Sequence, residues 1–147
     1  MTIKIKKLDP NAIIPTYAKP GDAAMDVTAI DINITPDYIE YSTGLAFEIP
    51  EDHIMLIFPR SSNSNKDLLL ANSVGVLDSG YRGELKLRFK LVYREGVTGR
   101  RMYANKFYNV GDRVGQILII PRPKIDFIEV DELSETERGE GGFGSTN

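Results

Sequence analysis

At 147 residues the chain fits one domain, and a domain of that size buries a core without staples. It has no cysteine, which excludes disulfides, thiolate nucleophiles and cysteine zinc sites together, and only one histidine, His53, so Ser-His catalysis has little to build on. The net charge of −3 argues against stable, sequence-independent nucleic-acid binding, which needs a basic face, but a few local arginines can still hold a small anionic substrate.

The dominant hydrophobic period is two. Met1 to Lys6 alternates apolar and charged residues from Ile3 onward, as a strand does, and lacks the apolar block of a signal peptide. No apolar run approaches the roughly 20 residues that span a bilayer. These features predict a soluble, cytoplasmic (intracellular) protein without membrane contact. Turns are expected at Pro20-Gly21-Asp22, Thr35-Pro36-Asp37, Asp78-Ser79-Gly80 and Val110-Gly111-Asp112. His53, beside Pro50-Glu51-Asp52, reads as a surface residue. Ile54 to Phe58 and Ile117 to Ile120 are short continuous apolar runs, expected as strands buried on both faces.

The one plausible helix starts after Pro59, within Ser61 to Leu70. Pro59-Arg60-Ser61-Ser62 would then set a cation and two hydroxyls at a helix start, where free N–H groups suit a phosphate; a plain N-cap is the alternative. Gly75 to Glu84 reads as a tight hairpin with an acid, Asp78, and an aromatic, Tyr81, near its tip. An acid in a wet cleft can activate water, although Asp-Ser-Gly also favours turns for its own sake. Leu85, Leu87, Phe89 and Leu91 alternate with Lys86, Arg88 and Lys90, a half-buried strand with one basic face. Many short strands and frequent turns predict an all-β sandwich or barrel. Ser134 to Asn147 is polar and glycine-rich, with Phe143 as its one large apolar residue. Such a composition is usually a disordered terminus, but a lone aromatic among four glycines also suits a flap over a flat ligand.

In order, these segments resemble the five motifs of the trimeric dUTPase family across nearly the whole chain. Gly21-Asp22-Ala23-Ala24-Met25-Asp26-Val27 is similar to the first motif, with Ala24 where glycine is usual. Pro59-Arg60-Ser61-Ser62 is similar to the second, and Asn72 with Gly75 to Glu84 resembles the third, the uracil-binding segment. Gly111 to Gln116 resembles the fourth, with Gly115 where alanine is common. Arg138 to Thr146 resembles the fifth, nearly unaltered. The third and fifth are specific; the others persuade through their order and spacing.

The resemblance implies a jelly-roll-like β domain over residues 1–133 and a flexible flap over 134–147 that closes on an active site. It implies hydrolysis of dUTP to dUMP and pyrophosphate, which limits uracil in DNA and supplies dUMP for thymidylate synthesis. Asp78 resembles the carboxylate that orients and deprotonates the attacking water. Asn72 and the backbone near Val76 and Leu77 resemble the groups that read uracil. Tyr81 resembles the ring under the deoxyribose, Phe143 the ring stacked on the base, and Lys86 maps to a position near the substrate. Arg60, Ser61, Ser62 and Gln116 look like phosphate contacts, and Arg138, Gly144, Ser145 and Thr146 like the clamp on the terminal phosphate. Mg2+ would ride mainly on the triphosphate, with Asp26 touching it through water. A homotrimer with shared active sites follows from the resemblance alone.

Three departures stand out. Gly80 occupies a place where the family often has a second aspartate, and Asn147 one where glycine is common. Residues 91–107 exceed the compact turn usual there, which suits either an extended hairpin or a surface for a protein partner. Two rivals follow: a dCTP deaminase on the same fold, and a regulator that binds nucleotide without catalysis. Against the first, the deaminase proton-shuttle glutamate corresponds to Arg88 here; against the second, Asp78, Arg138 and Phe143 are all intact.

Overall fold

A computed structural model describes residues 1–92, 94–95, 101–102 and 106–142. Phe143, Gly144, Ser145 and Thr146, and much of 91–107, lie outside the described residues. The architecture is all-β and antiparallel throughout. One four-stranded sheet runs β2 (Met25–Thr28), β12 (Arg113–Pro121), β6 (His53–Phe58), β8 (Gly75–Leu77). The other runs β3 (Asp31–Ile34), β4 (Ile39–Ser42), β9 (Lys86–Leu91), β7 (Leu68–Leu70). A separate pair joins β1 (Lys4–Lys7) to β5 (Leu45–Glu48).

Alternation decides what faces inward. Ile39 and Tyr41 of β4 lie opposite Phe89 and Leu87 of β9, and all four are buried. They meet Val27, Met55, Ile57 and Ile117 of the first sheet and Leu45 and Phe47 of β5 in a single core. Tyr41 packs edge-on against Phe89 and Tyr108, with ring centroids 5.6 and 5.8 Å away. Its hydroxyl donates to Tyr108 O at 3.3 Å and the Tyr108 hydroxyl donates to Asn63 Oδ1 at 3.1 Å, so both hydroxyls of this cluster are satisfied. Gly115 is a point of close approach: the space a Cβ would need there is taken by Leu87 Cδ2. The basic face expected on β9 is present, with Lys86, Arg88 and Lys90 outward.

One expectation is refined and three need correction. The helix after Pro59 is a 3-10 helix over Ser61–Asn65, and Leu68–Leu70 is strand. Ser-Ser-Asn-Ser-Asn is poor α-helix material because its side chains bond the local backbone instead. Ser64 Oγ donates to Ser61 O at 2.8 Å and Asn63 Nδ2 to Leu68 O at 2.8 Å. The apolar runs of β6 and β12 are not buried on both faces. Met55, Ile57 and Ile117 are buried, while Ile54, Leu56, Phe58, Leu118 and Ile120 are only partly covered.

Gly75 to Glu84 is not a hairpin, because its arms belong to different sheets: β8 pairs with β6, and β9 with β4 and β7. The segment is a corner between sheets, turned by Tyr81 N–H donating to Asp78 O at 3.1 Å. His53 is not a surface side chain. Its ring is 13% exposed, with Nδ1 2.7 Å from Asp52 Oδ1.

The turns at Gly21 and Gly111 are as expected, both with positive φ. Within 91–107, β10 (Arg94–Glu95) pairs with β11 (Arg101–Met102), as an extended hairpin requires. Beyond Pro121, residues 122–142 form no strand or helix. Ile125, Phe127, Ile128, Val130 and Leu133 are all exposed there.

Candidate active site

The corner between β8 and β9 forms one wall of a cleft of about 530 Å³. Asn72, Val76, Leu77, Asp78, Tyr81 and Lys86, all expected to handle the base and sugar or the attacking water, line it together. Topology explains the gathering. Asn72 sits in the β7–β8 connection at the edge of one sheet, Asp78 and Tyr81 on the corner, and Lys86 where the second sheet begins. Asp78 is exposed. Tyr81 donates its hydroxyl to Glu84 O at 3.1 Å, which folds the ring back over Gly83. The place of a Gly83 Cβ is filled by that ring.

Glu40, Glu84 and Arg88 also line this cleft, and none of the three was assigned to a substrate site from the sequence. Glu40 is a strand acid between two core residues, and only the pairing of β4 with β9 brings it to Lys86 and Arg88. Burial pushes its carboxyl upward, but hydrogen bonds from Arg88 and Lys86 prevail and hold it below its ordinary value. The Glu40 hydrogen bond in turn raises Lys86.

A second cleft, of about 500 Å³, gathers Asp26, Arg60, Ser61 and Gln116. Arg60 Nε donates to Asp26 Oδ1 at 2.8 Å, and its Nη1 to Ser62 Oγ at 3.2 Å. Arg113 Nη1 donates to Asp26 Oδ2 at 3.1 Å, so two guanidinium groups converge on one carboxylate. Gln116 is aimed by its Nε2 donating to Pro59 O at 3.0 Å. Arg113 was part of the fourth motif but had no assigned role; its partner across the sheet could not be read from spacing. The arrangement suits an oxyanion beside a fork of donors.

The two clefts share no lining residue. Neighbouring residues of β6 part between them, Ile57 to the first and Phe58 to the second. Arg138 lies in neither; its Nε donates to Gly141 O at 2.9 Å within the exposed tail. Among the described residues no three His, Asp or Glu side chains are grouped to hold a metal ion, and no helix is long and apolar enough to cross a membrane.

The family model described as dUTPase matches residues 10–147, and the chain belongs to the dUTPase family. It is 39% identical over 147 residues to a Thermobifida fusca protein named deoxyuridine 5'-triphosphate nucleotidohydrolase, covering 98% of this chain and 78% of that protein. A Nautilia profundicola protein of the same name is 39% identical over 151 residues, covering 99% of both chains. Among solved structures, the dUTPase of Staphylococcus bacteriophage 80alpha with dUPNHPP superposes with a TM-score of 0.81 at 26% identity, covering 99% of this chain and 98% of that one.

Proposed function

We infer that this chain hydrolyses dUTP to dUMP and pyrophosphate. The observation that carries the reading is the convergence of Asn72, Val76, Leu77, Asp78, Tyr81 and Lys86 on one cleft. Family membership and relatives named deoxyuridine 5'-triphosphate nucleotidohydrolase support it. In this reading Asp78 orients a water and takes its proton. The water oxygen bonds to the α-phosphorus, the bond from that phosphorus to the bridging oxygen breaks, and pyrophosphate leaves. Positioning and charge stabilisation supply most of the acceleration.

Asn72 and the backbone of the β8 end would read the acceptor-donor-acceptor edge of uracil, which cytosine cannot match without leaving buried polar groups unpaired. Tyr81 under the sugar leaves no room for a ribose hydroxyl. Phe143 would stack on the base, and Arg138, Gly144, Ser145 and Thr146 would clamp the terminal phosphate, making 134–147 a flap. Arg60, Ser61, Ser62 and Gln116 would hold the phosphates. Mg2+ would neutralise triphosphate charge. Asp26 fits contact through a metal-bound water better than direct ligation, because each of its oxygens already accepts from an arginine.

A homotrimer with shared sites fits the separation of the two clefts, since a head-to-tail ring can bring the base cleft of one copy to the phosphate cleft of another. The partly covered apolar side chains of β6 and β12 and the exposed ones of residues 125–133 are of the kind that mark an interface. Deamination is disfavoured, because Arg88 corresponds to the proton-shuttle glutamate of the resembling deaminases and it pairs with Glu40 at 2.7 Å. A pyrophosphate-release assay with Mg2+ tests the reading. dUTP should be turned over and dCTP, dTTP and UTP disfavoured by roughly 10³ or more where a buried pairing is lost. Ammonia release from dCTP, or binding of dUTP without turnover, would replace it with one of the rivals.

A further inference from the structure

Glu40 faces away from the core, since its neighbours Ile39 and Tyr41 face into it. An outward strand acid is ordinarily solvated, yet the Glu40 side chain is only 8% exposed. Two basic side chains of β9 cover it. Lys86 Nζ donates to Oε1 at 3.1 Å, and Arg88 Nε to Oε2 at 2.7 Å. Arg88 is itself held, with its guanidinium 4.3 Å from the centroid of the Tyr38 ring. On its other side Lys86 lies 3.6 Å from Glu84 Oε2. Glu84 is anchored to the backbone, because its Oε1 accepts the Gly44 N–H at 2.8 Å.

Lysine is a point charge on a flexible four-carbon stem, and left alone it samples many rotamers. Here two carboxylates draw it to one place, on the wall shared by Asn72, Asp78 and Tyr81. An ammonium has three N–H donors and no acceptor. Glu40 takes one at 3.1 Å, while Glu84, at 3.6 Å, holds the ammonium by charge. We propose that Glu40 is a positioning residue of the nucleotide cleft: with Glu84 it fixes Lys86 so that a free ammonium N–H is presented to an oxygen of the bound nucleotide. The proposal rests on the reading that this cleft takes dUTP.

Simple electrostatics makes the opposite prediction, which gives the test its force. Glu40 and Glu84 balance Lys86 and Arg88 in charge. Glu40→Gln leaves the cleft one unit more positive, and a positive cleft attracts a triphosphate. If only the field matters, KM falls; if Glu40 positions Lys86, KM rises. Steady-state kinetics with dUTP and Mg2+ should give a KM about fivefold higher for Glu40→Gln, with kcat within about twofold, the pattern of lost uniform binding. Lys86→Met should raise KM at least as much. The double variant should be no worse than Lys86→Met alone, because removing the positioned group leaves nothing to position.

Lys90→Met removes a charge from the same face, where Lys90 donates to Asp37 O at 2.8 Å outside the cleft, and should leave KM unchanged. An unchanged or lower KM in Glu40→Gln, or additive losses in the double variant, overturns the proposal. If Glu40→Gln does not fold, Lys86→Met alone decides against it by keeping the wild-type KM, and supports it by raising KM at constant kcat. Failure of the wild-type chain to hydrolyse dUTP removes the functional reading and this proposal together. Wild-type turnover with an unmoved KM in the variants removes the proposal alone.

Discussion

Tyr81 lies folded over Gly83, with its hydroxyl held by Glu84 O at 3.1 Å and its ring in the space a Gly83 side chain would need. The ring can take this place only because residue 83 has no Cβ. Tyr81→Ala should therefore relax discrimination against UTP, and Gly83→Ala should do the same by displacing the ring. The ratio of kcat/KM for dUTP and UTP measures both. A ratio unchanged in Tyr81→Ala would remove the ring from sugar selection.

Asp78 is exposed at the corner, close to the turn that Tyr81 N–H closes on its own carbonyl. Asp78→Asn keeps the size and the turn but cannot take a proton. Turnover should fall by a factor on the order of a hundred or more, with dUTP binding kept within roughly tenfold. Near-wild-type turnover would mean that another group activates the water.

Gly115 stands against Leu87 across the core, in contact range of the Leu87 Cδ2 methyl. Gly115→Ala should destabilise the fold by about 1–3 kcal/mol through overpacking. Pairing it with Leu87→Val should recover part of the loss. Urea denaturation of the three variants checks this, and equal stability of Gly115→Ala and wild type would refute it.

Stability should decline at both ends of the pH range. Glu40 titrates lower in the folded state, so its contribution is present above roughly pH 4.3 and is lost as pH falls through the folded value. Burial pushes Tyr41 up to about 12, so its neutral form favours the folded state. That contribution is present below roughly pH 10 and is lost as pH rises from there towards 12, a change of about 2–3 kcal/mol. Denaturation curves should show a shallower acid limb for Glu40→Gln and a shallower alkaline limb for Tyr41→Phe. Parallel limbs in variant and wild type would remove these two residues as the cause.

The tail should serve a neighbouring copy. Asp78→Ala with an intact tail and a truncation after Glu137 with an intact corner are each expected to be inactive. Refolded together in equal amounts, random mixing puts about three in four rings in mixed form with one working site in three, so roughly a quarter of wild-type activity should return. Activity that stays at the level of the separate variants, when mass measurement confirms mixed trimers, would place the tail on its own chain.

Much of this molecule was legible in residue order. The period of two in Leu85 to Leu91 required a half-buried strand, because successive side chains leave opposite faces of a sheet whatever it pairs with. Gly21 and Gly111 announced their turns, because positive φ is nearly free only for glycine. The order of the motifs was sufficient to name the family. What residue order could not determine was pairing. Gly75 to Glu84 has the composition of a hairpin, and only the partners of β8 and β9 make it a corner between sheets. Glu40 is an unremarkable strand acid until the register of β4 against β9 sets it beside Arg88, and Arg113 gains its role only where β12 lies along β2 and reaches Asp26. Alternation and turn chemistry are local and act through the backbone of a few residues. Strand partners are chosen by burial and hydrogen bonding summed over the whole chain, and on them depends which charges meet.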